Sequence, residues 1–353
     1  MLIKLRCSKC MRKVSAEDDL LGKKVLCPAC DSVIPLPSPQ FGFGKQIKGY
    51  AIEQWLGAGN CGEVYLAKQI AMNRHVALKV MKASEDLIEE DKKRFLQEAQ
   101  ILAQLNHPNI VPVYDAGSAD DCHYMAMGYV NGQTLEEVLK ETQSLKEVDA
   151  LKLTLKLVHG LRYAWDEFGI LHRDIKPANI MIDQNHDVKI MDMGIAKNTH
   201  QDAHITQTSH LVGTPYFMST EQAQAQSDLD FRTDLYSLGC TLYNMLVGNV
   251  PFEGSNIMEI MEHKFADQVV SPKEQRPYLS KSIDKLILEM IASKRDKRPK
   301  SYDDLETKLL KCLRVAEKRK QISDGNKQGK LIKMVVIPLV ILIFLLLILL
   351  IVK

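Results

Sequence analysis

Eight residues constrain this chain more than any others: His172-Arg-Asp-Ile-Lys-Pro-Ala-Asn179. They stand between the apolar runs Gly169-Ile-Leu171 and Ile180-Met-Ile182, so the stretch reads as a loop clamped between two buried elements. Its polar groups suit phosphoryl transfer. Asp174 can orient a hydroxyl, Lys176 can meet phosphate charge, and Asn179 can hold a metal ion. The same residue types also occur in ordinary polar turns, so the reading depends on what the rest of the chain supplies.

A length of 353 residues leaves room for two or three domains. The formal net charge of +2 gives no global case for a nucleic-acid partner. The start, Met1-Leu-Ile-Lys-Leu-Arg, lacks the apolar run of a signal peptide. Of the eight cysteines, Cys61, Cys122, Cys240 and Cys312 are scattered, as expected for small buried side chains in a reducing compartment. Cys7, Cys10, Cys27 and Cys30 instead form two C-x-x-C pairs, with sixteen residues between Cys10 and Cys27. That spacing suits Zn²⁺ held by four thiolates, with no open position for catalysis. Two disulfides are the alternative. Residues 1–36 resemble a small zinc ribbon whose metal supplies most of the folding energy. Its basic residues invite a nucleic-acid reading. The anionic tetrathiolate and the lack of aromatic residues favour a structural role or a protein partner instead.

Residues 37–49 read as a Pro/Gly linker. Over 50–313, strand-like alternation (Ala51 to Leu56, Glu63 to Ala67, Val76 to Met81) gives way after Asp91 to helical periodicity, as in Leu151 to Phe168 and Leu235 to Leu246. Residues 314–333 are basic. Residues 334–352 are nineteen positions without a charge, roughly 28 Å as a helix against a hydrocarbon core of ~30 Å. A transmembrane helix is expected there rather than a buried core helix, because a helix apolar all round has no face for water. Lys318, Arg319, Lys320, Lys327, Lys330 and Lys333 precede it, which places the preceding domains in the cytoplasm beneath an inner or plasma membrane. Only Lys353 follows, so no outer sensor domain is expected.

The pattern H-R-D-x-x-x-x-N over 172–179 resembles the catalytic loop of the protein kinases, and Lys176 resembles their serine/threonine branch. Further segments follow in the family's order. Gly57-Ala-Gly59-Asn-Cys-Gly62-Glu-Val64 fits a glycine-rich phosphate loop. No Rossmann-type helix follows it, whereas a lysine-bearing strand, Val76-Ala-Leu-Lys79, does. Lys79 in an apolar strand needs partners; the resemblance implies ATP phosphates and Glu98. Tyr124 to Val130 resembles the strand and hinge that receive adenine, with Met127, Gly128 and Val130 at the pocket. The family usually has an acid where Gly128 stands, and glycine there is expected to loosen the hinge. Asp192-Met-Gly194 resembles D-F-G and implies Mg²⁺ on Asp192, with a second ion on Asn179.

The polar stretch after Asp192, with Thr199, Thr206, Thr208 and Ser209, resembles an activation segment. Arg173 can pair with a phosphate on it, and Thr206 and Thr208 are the expected sites. In Gly213-Thr-Pro-Tyr-Phe-Met-Ser-Thr220-Glu221, Thr220 replaces the family's proline and is expected to soften the turn. Glu221 is expected to pair with Arg298, and Asp234 to hold the catalytic-loop backbone.

The resemblance therefore implies an α+β, bilobal protein kinase fold, with a strand-rich small lobe and a helical large lobe. To it are added a zinc ribbon and one transmembrane helix. It implies a membrane-anchored serine/threonine kinase that uses ATP and Mg²⁺ on protein substrates and on itself, with dimerisation for phosphorylation in trans. A pseudokinase scaffold is the competing reading; Lys79, Asp174, Asn179 and Asp192 all stand against it. A ribbon that serves mainly to bind nucleic acid is the third.

Overall fold

The computed structural model describes the chain except residues 1, 8, 11, 18, 19, 21, 37, 38, 60, 61, 83–95, 98, 120, 121, 194–214 and 332–353. It divides into two compact units, Met1–Asn106 with Val111–Val130, and His107–Ile110 with Asn131–Lys353.

The first unit begins with two antiparallel strand pairs, β1 (Leu2–Arg6) with β2 (Lys13–Glu17) and β3 (Lys24–Leu26) with β4 (Val33–Pro35). Cys7, Val14, Cys27 and Ile34 are their small core. A six-stranded antiparallel sheet follows, in the order β5-β6-β7-β8-β10-β9. Its strands are β5 (Gln46–Ile47), β6 (Tyr50–Gly59), β7 (Gly62–Gln69), β8 (Arg74–Lys82), β9 (Val113–Ala119) and β10 (Cys122–Gly128). The two-residue alternation seen in the sequence sets its faces: Val76, Leu78 and Val80 are buried together, and Lys79 points to the other side.

Residues 37–49 are less linker-like than their prolines and glycines suggest. Phe41 and Ile47 belong to the core of the six-stranded sheet, and β5 pairs with β6. Phe41 N–H donates to the Tyr65 hydroxyl at 3.2 Å, and the two rings meet edge to face with centroids 6.3 Å apart. Gln40 N–H donates to Glu63 Oε2 at 2.8 Å. Burying one aromatic side chain contributes about 1.5–3 kcal/mol, enough to dock a chain whose composition favours looseness.

The second unit is mainly helical. Helix α1 (Leu135–Thr142) starts from a capping box between Thr134 and Glu137. Helix α2 (Glu147–Phe168) ends where Gly169 turns left-handed, and α4 (Arg232–Val247) ends in the same way at Gly248. These two contain the periodic segments expected from Leu151 to Phe168 and from Leu235 to Leu246. The short sheet of β11 (Gly132–Thr134), which precedes α1, with β12 (Ile180–Asp183) and β13 (Val188–Ile190), which follow α2, leads in sequence to helix α3 (Thr220–Ala223) before α4. Helices α5 (Ile257–Phe265), α6 (Pro272–Gln275), α7 (Lys281–Met290) and α8 (Tyr302–Leu331) follow among the described residues. Glu306 joins α8 to α2, accepting from Arg162 Nη1 at 2.7 Å and facing His159 Nε2 at 2.8 Å.

The membrane span expected at 334–352 lies outside the described residues. Among the described residues no helix is long and apolar enough to cross a membrane.

Candidate active site

The loop from His172 to Asn179 leaves helix α2 and enters β12 through the single 3₁₀ turn Pro177–Asn179. Its backbone is fixed from below. Asp234, fully buried in the first turn of α4, accepts from His172 N–H and Arg173 N–H, both at 2.8 Å. Burial pushes the Asp234 carboxyl up, against the pull of His172 and those two N–H groups. His172 Nδ1 accepts from Asp174 N–H at 3.2 Å, so its proton sits on Nε2, which donates to Met191 O at 2.8 Å. Arg173 takes φ 63°, a left-handed value that a non-glycine residue holds only where its surroundings impose it.

This framework brings three expected residues together. Lys176 Nζ lies 2.8 Å from Asp174 Oδ2. Asn179 Nδ2 donates to Asp174 O at 2.8 Å and to Oδ2 at 3.0 Å. Met191 N–H donates to Asn179 O at 2.9 Å, which brings Asp192 close along the chain to the same loop. Asp192 is exposed and left-handed at φ 50°, while Met193 is buried as the apolar swap requires.

In the first unit, the glycine-rich hairpin joins β6 to β7, with Gly57 opposite Val64 and Gly59 opposite Gly62. Gly62 has φ 119°, and a Cβ there would stand 2.2 Å from Val80 O, so only glycine fits. Lys79 sits in β8 between Val64 and Met125. Met127 is buried and pairs with Ala77. Gly128 N–H donates to Pro112 O at 2.9 Å, and a Cβ on Gly128 would press within 3.1 Å of the Pro112 ring. The glycine expected to loosen the hinge thus permits a close approach instead. Val130 lies two residues beyond, half-buried. Glu98, Thr206 and Thr208 lie outside the described residues, as do Gly194, Gly213 and Thr214.

Thr220 also departs from expectation. Its hydroxyl donates to Ser293 O at 2.7 Å and accepts from Arg298 Nη2 at 3.2 Å, so it joins a buried network rather than softening a turn. Arg298 Nη1 and Nη2 meet the two Glu221 oxygens at 2.7 and 2.9 Å. Burial alone pushes the Glu221 carboxyl up; the hydrogen bonds and charge of Arg298 outweigh it and hold it below the usual range. Sequence reasoning missed Lys264. It is fully buried in α5, its Nζ donates to Met218 O at 2.6 Å, and burial draws its ammonium down to about 8. The one available signal was its place four residues after buried Ile260, on the apolar face of α5.

The sulfurs of Cys7, Cys10, Cys27 and Cys30 all lie within 4.8 Å of one another. Cys7–Cys30 and Cys10–Cys27 stand 3.6 and 3.5 Å apart, near the ~3.8 Å edge of a tetrahedron with ~2.3 Å bonds. Ser32 Oγ lies 3.0 Å from both Cys7 Sγ and Cys30 Sγ. Ser32 draws the Cys7 thiol down to about 6. The Arg12 backbone also favours the Cys10 thiolate, but burial and the other three sulfurs together push Cys10 up to about 12.

A strand-rich sheet bearing a lysine and a glycine hairpin, with an Asp–Lys–Asn loop pinned by a buried aspartate, defines a protein kinase. Residues 50–310 match the family model described as protein kinase domain, and the chain belongs to that family. It is 37% identical over 273 residues to the probable serine/threonine-protein kinase PknB of Bifidobacterium longum, covering 74% of this chain and 39% of that protein. It is 33% identical over 296 residues to the serine/threonine-protein kinase PrkC of Bacillus subtilis, covering 83% and 45%. The chain spans about two fifths of the length of these curated relatives. The solved PknI kinase domain of Mycobacterium tuberculosis superposes with a TM-score of 0.62 at 25% identity, covering 77% of this chain and 98% of that one.

Proposed function

We propose that this chain is a membrane-anchored serine/threonine protein kinase that moves the γ-phosphoryl group of ATP to Ser and Thr hydroxyls of proteins, its own included. The observation that carries this reading is Asp174, bracketed at hydrogen-bond distance by Lys176 and Asn179. The acceptor hydroxyl attacks Pγ, its proton passes to Asp174, and the bond from Pγ to the ADP oxygen breaks. Lys176 meets the charge that develops on the transferred group. Asn179 and Asp192 fit Mg²⁺: with Nδ2 committed to Asp174, Asn179 is left with an oxygen donor, and Asp192 offers an exposed carboxylate. When bound, the ions neutralise phosphate charge. Lys79, paired with Glu98, and the hairpin of Gly57, Gly59, Gly62 and Val64 hold the phosphates, and Met127, Gly128 and Val130 receive adenine. Phosphate incorporation from Mg-ATP by the full chain, beside Asp174→Asn, tests the assignment. A loss of roughly 10²–10⁴-fold is expected, and equal incorporation sinks it.

Four finer assignments belong to the same proposal. Thr206 and Thr208 are the phosphorylated residues read by Arg173; mass mapping that finds phosphate only elsewhere refutes this. The four cysteines hold one structural Zn²⁺ in residues 1–36, a ribbon available to a protein partner. Elemental analysis should find one zinc per chain, lost in Cys27→Ser; a metal-free wild type with reactive thiols overturns that site. Residues 334–352 anchor the chain with its kinase domain, 50–313, on the cytoplasmic side. Tethering and dimerisation promote phosphorylation in trans. A version ending at Leu331 that stays with membranes contradicts the anchor, and one that autophosphorylates equally well at equal bulk concentration contradicts the role of tethering.

A further inference from the structure

The peptide joining Arg173 to Asp174 sets where Asp174 stands, and it is held at both ends. Its N–H donates to His172 Nδ1 at 3.2 Å. Its carbonyl accepts from Gln222 Nε2 at 2.8 Å. The first restraint comes from within the loop. The second comes from helix α3, the first described helix after residues 194–214.

The orientation of the Gln222 amide follows from its other end. Oε1 accepts from Ser219 N–H at 3.1 Å, which leaves Nε2 as the donor to Arg173. Gln222 N–H donates back to Ser219 Oγ at 3.3 Å, closing a capping box on α3. One side chain therefore caps its own helix and clamps the catalytic loop. The helix start is itself immobilised on both sides, by Lys264 on Met218 O and by Arg298 on Glu221. Arg173, at its left-handed φ, is thus gripped at N–H by Asp234 and at C=O by Gln222.

We infer that Gln222 is a positioning residue for phosphoryl transfer. It orients the Arg173–Asp174 peptide and ties the catalytic loop to the helix start that follows the Thr206 and Thr208 segment in sequence. The inference rests on the reading of Asp174 as proton acceptor.

Two substitutions separate the cap from the clamp. Gln222→Glu keeps an oxygen to accept from Ser219 N–H but has no donor for Arg173, and its charge faces a carbonyl oxygen. Gln222→Ala removes both functions. The experiment measures the maximal rate of phosphate incorporation, KM for Mg-ATP and the thermal unfolding midpoint in the full chain, with Asp174→Asn alongside. Gln222→Glu is expected to lower the maximal rate roughly 5- to 30-fold while KM for ATP and the midpoint stay near wild type. Gln222→Ala is expected to lower the midpoint further yet slow the reaction no more than Gln222→Glu. If rates instead follow midpoints, with alanine the slower variant, Gln222 only stabilises the helix and the inference falls. An inactive Asp174→Asn beside a Gln222→Glu of wild-type rate overturns the inference alone. An active Asp174→Asn overturns the reading beneath it.

Discussion

Two carboxylates lie buried beside the loop from His172 to Asn179, and they are compensated in opposite ways. Glu221 meets a guanidinium head on, with Thr233 Oγ1 adding a hydrogen bond at 2.9 Å. Asp234 accepts from two successive backbone N–H groups of the loop. The pKa directions follow. Glu221 is lowered, so its ionisation adds stability above the unfolded carboxyl value of about 4.3, and this is lost as pH falls through the folded value. Asp234 is raised, so its contribution is full below the unfolded value of about 3.9 and is lost as pH rises through the folded one. At neutral pH the first charge stabilises the fold, whereas the second costs stability and is retained for the geometry it imposes on His172 and Arg173.

The contrast is most exposed by removing the cation. Arg298→Met should cost about 3–5 kcal/mol of unfolding free energy, because it strands Glu221 as an unpaired buried charge. Denaturant titration reads this directly; a loss under 1 kcal/mol would mean that Glu221 simply takes up a proton without consequence. Asp234→Asn should cost less, about 1–3 kcal/mol, since it leaves one loop N–H facing an amide donor and relieves a buried charge. Its activity should fall far more than its stability, with the maximal rate dropping and KM for ATP little changed. Equal losses in both would erase the distinction between the two carboxylates. A smaller effect is expected with pH. As pH falls from about 5 to well below the unfolded carboxyl value of about 4.3, wild type should lose stability that Glu221→Gln does not, and parallel pH curves for the two proteins would refute the lowered carboxyl.

Much of this arrangement was legible in the sequence. The residues at 172–179, the strand that carries Lys79 and the helices around Leu151 and Leu235 all follow from local period and local motif, because backbone hydrogen bonding and side-chain direction are set within a few residues. What was not legible depends on contacts distant in sequence. Phe41 hides in a Pro/Gly stretch, and nothing local shows that Tyr65 will receive it. Lys264 looks like one more cation in a charged helix until the Met218 carbonyl is seen above it. Gln222 closes the capping box with Ser219, but its second partner, Arg173 O, lies 49 residues earlier, and nothing local points to it.

Thr220 sharpens the comparison at its weakest point, since it touches the Glu221 network and leaves Asp234 alone. Its hydroxyl bridges Ser293 O and Arg298 Nη2, so Thr220→Val should cost about 1 kcal/mol. Proline at the same place removes the same hydroxyl but meets a backbone already prepared for it. Position 220 is the first residue of α3, where a backbone N–H has no helical partner to lose. Ser219 before it is extended, at φ −73° and ψ 162°, as a residue preceding proline must be. Thr220→Pro should therefore recover about 0.4–1 kcal/mol relative to Thr220→Val, by restricting the unfolded chain. The two unfolding free energies decide it. A proline variant less stable than the valine one would show that α3 begins in a conformation that its cap alone does not explain.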